Sequence, residues 1–344
     1  MVFFKGIGAL LLTLAGFSVF SMKFPKGSKA MGGLADAAVA TFLVEAIFKY
    51  ICGDFIGIQF LGEVGAAAGS MGGVASAALV GLAMGTSPVY AVASAAAVAG
   101  FGILPGFIAA YVLYFVLKPL NKYMPAGLDV IVCSLAAAGL ARGIAVLVDP
   151  AVNSIIATIG DSISVATAQS PLFMGFILGG LMKMICTSPL SSMALTAMLG
   201  LTGLPMGIAA VACVGGSFTN AMIFKGLNLG NNSRVIAVML EPLTQADIVT
   251  QNPIPIYGSN FFGGGFSGIA AAVLGIVNNA PGTASPIPGL LAPFAFNAPG
   301  KVILAMAIAA VCGTVSGIVG SIIFAKLGFK KEVRTTIGGD NINQ

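Results

Sequence analysis

The chain of 344 residues contains no histidine and no tryptophan, and only 8% of its residues are charged. The missing histidine removes imidazole metal ligands, histidine general bases and phosphohistidine carriers together. The missing tryptophan removes one of the usual markers of a membrane–water boundary. Lysine and arginine number 16 against 11 acidic residues, for a net charge of +5. These basic residues stand singly or in loop-like groups such as Lys23, Lys26, Lys29 and Lys326, Lys330, Lys331, Arg334. No basic stripe is interleaved with aromatics, so nucleic acid is excluded as a partner and the charge has a topological role. The five cysteines, Cys52, Cys133, Cys186, Cys213 and Cys312, are isolated in apolar runs. Neither a disulfide framework nor a metal set is expected from them. Gly263-Gly264-Gly265 lacks the strand, lysine and hydroxyl residue of a nucleotide cradle, and no cofactor is expected.

What is present is apolar: 58% of the residues are hydrophobic, too many for the surface of a water-soluble domain. An all-α polytopic membrane protein follows, with membrane lipid as its surroundings. A span needs about 20 mainly apolar residues. Candidates are 3–22, 64–84, 88–117, 126–148, 171–187, 203–225, 260–278 and 300–326, with 88–117 kinked at Gly102 and Pro105. Segment 30–51 is a span or an interfacial helix, in which Glu45 and Lys49 are four apart and able to pair. Lys5 before Gly6–Phe20 has the look of a signal peptide, but no clean small-x-small site follows, and a retained first helix is expected. Counting the broken segments, about 8–10 transmembrane helices are expected. Residues 150–169 alternate Val152, Ile155, Ile156 and Ile159 with Asn153, Ser154 and Asp161, the pattern of an amphipathic helix connecting two halves. Arg142 and Asp149 share a helix face and are expected to pair, and Lys183 is expected to snorkel to an interface.

The polar chemistry is concentrated in four broken segments of the second half: 186–192, 215–220, 239–260 and 278–288. The third carries Glu241, Gln245, Asp247, Gln251 and Asn252 between Pro242 and Pro253. Irregular backbone at membrane depth is tolerated only where protein buries it or an aqueous cavity meets it, so paired breaks point to a midplane site. Glu241 ends the apolar run 235–240, where a charge is expensive without a purpose. Carboxylates, amides and hydroxyls are the groups that hold polyols. The candidate ligand-binding residues are Glu241, Gln245, Asn252, Ser188, Asn220 and Thr283. No catalytic group is identified.

The order of these features resembles the membrane-embedded IIC component of the phosphoenolpyruvate-dependent sugar phosphotransferase system, in its fructose-type branch. The matching motifs are Ser188-Pro189, Glu241 to Pro253, Ile254-Pro255, Gly263 to Gly268, and Ala280-Pro281-Gly282. In length and single-domain make-up the chain is closer still to the standalone IIC-like group that includes PfoR-type regulatory membrane proteins. The resemblance implies an elevator-type fold. It has a scaffold and dimerisation domain (1–149), an arm (150–169), a transport domain with two re-entrant hairpins (170–325) and a cytoplasmic tail (326–344). It also implies a homodimer in a bacterial inner membrane, a sugar-like small-molecule solute, and a separate phosphorylated IIB partner. Two positions depart from the fructose-type pattern: Gly282 stands where that branch has a histidine, and Pro242-Leu243 stand where it has Gly-Ala. These departures leave two other readings open: a secondary transporter uncoupled from phosphorylation, and a membrane sensor that regulates expression. At most the chain is the permease subunit of a phosphotransferase.

Overall fold

The computed structural model describes residues 2–125, 127–188 and 191–329, with side chains from Lys5 onward. Pro189 and tail residues 330–344 lie outside the described residues. The described residues form helices and short helical turns, with no strand. Runs of Ala, Leu, Val and Ile satisfy every backbone group internally only as helices when water is absent.

The first half begins with α1 (Val2–Lys23) and α2 (Gly27–Phe55). It continues with α3 (Gln59–Ser70), α4 (Gly72–Met84), α5 (Pro88–Ala97), α6 (Ile103–Tyr123) and α7 (Leu128–Gln169). α2 is wound with π-helical turns over Val39–Leu43 and Ala46–Phe55. The expected Glu45–Lys49 pair forms there at 3.0 Å. α3 crosses this stretch at its own glycines, since a Cβ on Gly69 would fall 2.2 Å from the Glu45 carboxyl and one on Gly65 would fall 2.3 Å from Lys49 N.

Several expectations change. Segment 64–84 is two helices bent by 57°, and 88–117 is not one kinked span, because α5 ends at Ala97 and α6 starts at Ile103. Arg142 does not pair with Asp149. Its guanidinium donates to Ala97 O at 3.1 Å and Ala99 O at 3.0 Å and stacks over Phe101 at 4.5 Å. The freed carbonyls at the end of a broken helix are a stronger claim on a membrane arginine than a half-buried carboxylate two turns away. Segment 150–169 is not a separate helix but the second part of the 42-residue α7, which passes through Pro150 unbroken. At 1.5 Å per residue α7 is about 63 Å long. It therefore outreaches a bilayer of about 40–45 Å unless strongly tilted.

The second half comprises α8 (Pro171–Thr187), α9 (Ser192–Met198), α10 (Gly203–Gly226), α11 (Asn232–Leu240) and α12 (Ala246–Gln251). α13 (Pro253–Val273), α14 (Pro286–Leu291) and α15 (Pro299–Lys326) complete it. α10 is central, 89% buried over its best apolar window, and packs on α8, α13, α14 and α15. Six helices are long and apolar enough to cross a membrane, or seven if the bent α3–α4 pair counts as one span, against the 8–10 expected. α5, at 10 residues, and α8, at 17, account for part of the difference. The chain is an all-α polytopic membrane protein.

α8 and α13 meet backbone to backbone. A Cβ on Gly179 would sit 2.5 Å from Gly264 O, and one on Gly268 would sit 2.1 Å from Gly175 O. Small residues are what allow such approach in membranes, where van der Waals packing replaces hydrophobic drive. Gly179→Ala is expected to cost about 1–3 kcal/mol, read as a lower thermal unfolding midpoint in detergent. Gly139→Ala, where nothing lies within 4 Å, is the control and should not lower it.

Candidate functional site

The breaks that position the polar residues have local causes. Ser188, extended at φ −85° and ψ 167°, ends α8, and the Ser191 side chain caps α9 by accepting from Ala194 N at 3.2 Å. Asn231 caps α11 through Arg234 N at 3.0 Å. α11 ends where Pro242 forbids a helical Glu241, which takes φ −147° and ψ 98°. The freed Glu241 carboxylate then accepts from Leu243 N at 3.4 Å, heading a short turn over Pro242–Gln245. The sequence puts its expected hairpins in these two short-helix units.

At the meeting of α8, α10 and α13 lies a ladder of buried polar groups. Asn260 Nδ2 donates to Asn220 Oδ1 at 2.6 Å and to Ile256 O at 2.9 Å. Asn220 Nδ2 in turn reaches Thr187 Oγ1 at 3.5 Å. Asn220 and Asn260 are both fully buried, and Asn260 Oδ1 has no partner among the described residues. One turn before Thr187, Lys183 is 0% exposed. It does not snorkel as expected. α10 and α13 cover it, and its stem fills a slot cut by missing side chains, since a Cβ on Gly216 would meet Lys183 Cδ at 2.2 Å and one on Gly264 would meet its Cβ at 2.5 Å. The ammonium has one long contact, 3.5 Å to Cys213 O. Its field reaches the half-buried Glu241 carboxylate and the thiols of Cys186 and Cys213. Lys183 and Glu241 are not in contact as an ion pair, the described pairs being Lys49–Glu45 and Arg234–Asp247.

The six residues singled out from the sequence are not all equivalent in the structure. Asn220 sits in the ladder, whereas Glu241, half-buried at the end of α11, has no bond to it among the described residues. Gln245 is buried, with its Oε1 unpartnered and its amide nitrogen on Thr244 O at 2.9 Å. Ser188 Oγ donates to Ile185 O at 2.8 Å and lines a cavity of about 180 Å3 with Leu14, Ser18 and Tyr257. Asn252 caps α12 by donating to Ile248 O at 3.0 Å. Thr283 is fully buried within the late loop, donating to Ala280 O and accepting from Asn278 Nδ2, both at 2.8 Å. That loop is tied to the first hairpin by Ser192 Oγ donating to Ala284 O. Asp247 is bound at the surface to Arg234 at 2.9 Å, and that guanidinium holds its carboxyl below the usual range. Sequence reasoning missed Thr187 and Asn260 as members of the ladder and Lys183 as a buried neighbour one turn before it. For Lys183 the available signal was the glycines on neighbouring spans, Gly216 and Gly264.

The family model described as "Phosphotransferase system, EIIC" matches residues 28–336. The chain belongs to this family. Neither the curated proteins nor the solved structures compared with it gave a match. As an EIIC protein it is the membrane component of a sugar-transport system. The match assigns neither the fructose-type nor the PfoR-type branch.

The late loop explains the departure at Gly282. It has φ +82°, and a Cβ there would lie 2.7 Å from Phe42 Cβ on α2, so a histidine is excluded on both counts. Gly282→Ala is expected to lower stability by about 1–2 kcal/mol or more, measured by thermal unfolding. Lys183→Met removes a buried charge that has a single poor partner. It is expected to leave stability unchanged or raise it by up to about 4 kcal/mol; a marked fall would show that the ammonium holds the fold together.

Proposed function

We propose that this EIIC protein binds a sugar or sugar-like solute at Glu241 and carries it across a bacterial inner membrane. The carrying observation is the spare capacity of Glu241. Its carboxylate is half-buried, accepts only the 3.4 Å bond from Leu243 N among the described residues, and feels the cationic field of Lys183. An ionised carboxylate offers about four acceptor sites, so most remain for ligand hydroxyls. Gln245, Asn220, Ser188, Asn252 and Thr283 are the accompanying amides and hydroxyls, Thr283 and Asn252 acting by shaping their loops. Wrong ligands are rejected because they leave such buried groups unpaired.

In this reading residues 170–325 move as the transport unit of an elevator against a dimeric scaffold of 1–149. The second part of α7 is the arm between them. Lys183 matters to such a movement: a cation in the same unit as Glu241 offsets the charge that the unit carries through hydrocarbon. A separate phosphorylated IIB protein is the partner that modifies the delivered sugar. A specific observation favours a second reading, transport without phosphoryl coupling: the Gly282 backbone leaves no place for the histidine of the fructose-type branch.

Loss of a charge-assisted hydrogen bond is worth about 1.5–3 kcal/mol. Glu241→Ala is therefore expected to weaken solute binding about 10- to 150-fold while the protein stays folded, measured as equilibrium binding on purified protein. Wild-type affinity in that variant would sink the assignment. Uptake into liposomes driven by an ion gradient, with no phosphoryl donor, would decide for the second reading.

A further inference from the structure

A second polar pocket lies at the opposite half of the chain, where α2 and α5 begin and α4 and α6 end. It has a volume of about 340 Å3 and is lined by Thr86, Ser87, Tyr90, Tyr114, Lys118 and Asn121. Nothing in the sugar-binding reading uses it.

We propose that this pocket binds the phosphate of an anionic phospholipid headgroup. Three lysines supply the charge. Lys118 is exposed on the wall. Lys26 donates to Met84 O, lies 4.1 Å over the Tyr114 ring and comes within 3.7 Å of where a Gly85 Cβ would stand. Lys29 is close enough for its field to reach Tyr114. None of the three is in an ion pair among the described residues. The acidic group near this end, Asp129, is occupied by Gly127 N at 2.8 Å.

Neutral donors are also present. The Tyr90 hydroxyl bonds Asn121 Oδ1 at 3.0 Å, which leaves the Asn121 amide hydrogens for a ligand. Thr86 Oγ1 is a buried oxygen with no partner among the described residues. The Ser87 side chain does not cap α5, and after Pro88, which has no N–H, the Val89 and Tyr90 amides have no acceptor among the described residues. Cationic side chains and uncapped helix starts are the standard complement to phosphate. At about 30 Å3 per water, the pocket has room for a phosphate and several waters. The lipid source is favoured over free phosphate by what adjoins it. Val112, Phe115 and Val116 form an exposed apolar strip on α6 that leads directly to Lys118, a track for acyl chains below a headgroup.

The test uses the full chain in detergent micelles, with phosphatidylglycerol or phosphatidylethanolamine added and retained lipid read by native mass spectrometry. Phosphatidylglycerol should be retained in preference. Lys118→Gln should lower its retention about fivefold, whereas Lys225→Gln, which removes the same charge at the end of α10, should not. Equal retention of the two lipids, or equal loss in both variants, would overturn the site. Displacement of phosphatidylglycerol by millimolar inorganic phosphate would overturn the lipid as its occupant. The Glu241 variant should retain lipid normally, so this result stands or falls separately from the sugar site.

Discussion

Where Gly175 and Gly179 press against Gly264 and Gly268, the backbones of α8 and α13 touch with no side chain between them. That close approach is the constraint on which the candidate site depends. It aligns Thr187 at the end of α8 with Asn260 near the start of α13, and Asn220 of α10 fits between their elements. It also narrows the space around Lys183, whose stem passes between Gly264 of that contact and Gly216 of α10. Widening the α8–α13 contact would separate the amides and admit lipid or water. The polar ladder is thus a product of what the helices lack, and hydrogen bonds alone would not assemble it in a membrane, where polar contacts are individually modest.

The electrostatics follow from the same packing. Lys183 is sealed off from both interfaces, and its single 3.5 Å contact leaves its charge poorly compensated by its own helix. Glu241 is held by a proline-forced break at the end of α11, with its remaining lone pairs uncommitted. The described ion pairs include neither residue, so neither charge is neutralised by direct contact.

The legible part of the fold was the part written in hydropathy. α1, α8, α10 and α15 lie within a few residues of the runs that predict them, and the Glu45–Lys49 pair follows from helical spacing. The breaks were less legible. Gly102 and Pro105 flag a disturbance in 88–117, but whether a span kinks or divides depends on a tertiary partner, and Arg142 of α7 supplies it by holding the carbonyls of Ala97 and Ala99. Pro150 misled in the other direction, being absorbed inside α7. In the site, Glu241 stood out because a carboxylate interrupts an apolar run. Lys183 did not, because a lysine four residues before the end of a span ordinarily reaches water, and only the glycines of two distant helices reveal that it cannot.

Gly282 and Phe42 illustrate a dependence between residues 240 positions apart. The late loop folds tightly because Gly282 takes a left-handed conformation, and α2 lies against it because no side chain is there. Any mutational route that installs a histidine at 282 therefore has an order. Phe42 on α2 must shrink first and the loop must relax from its left-handed turn, or the intermediate fails to fold. A chain in this condition is locked to its present loop by epistasis, and a histidine there is hard to reach one substitution at a time.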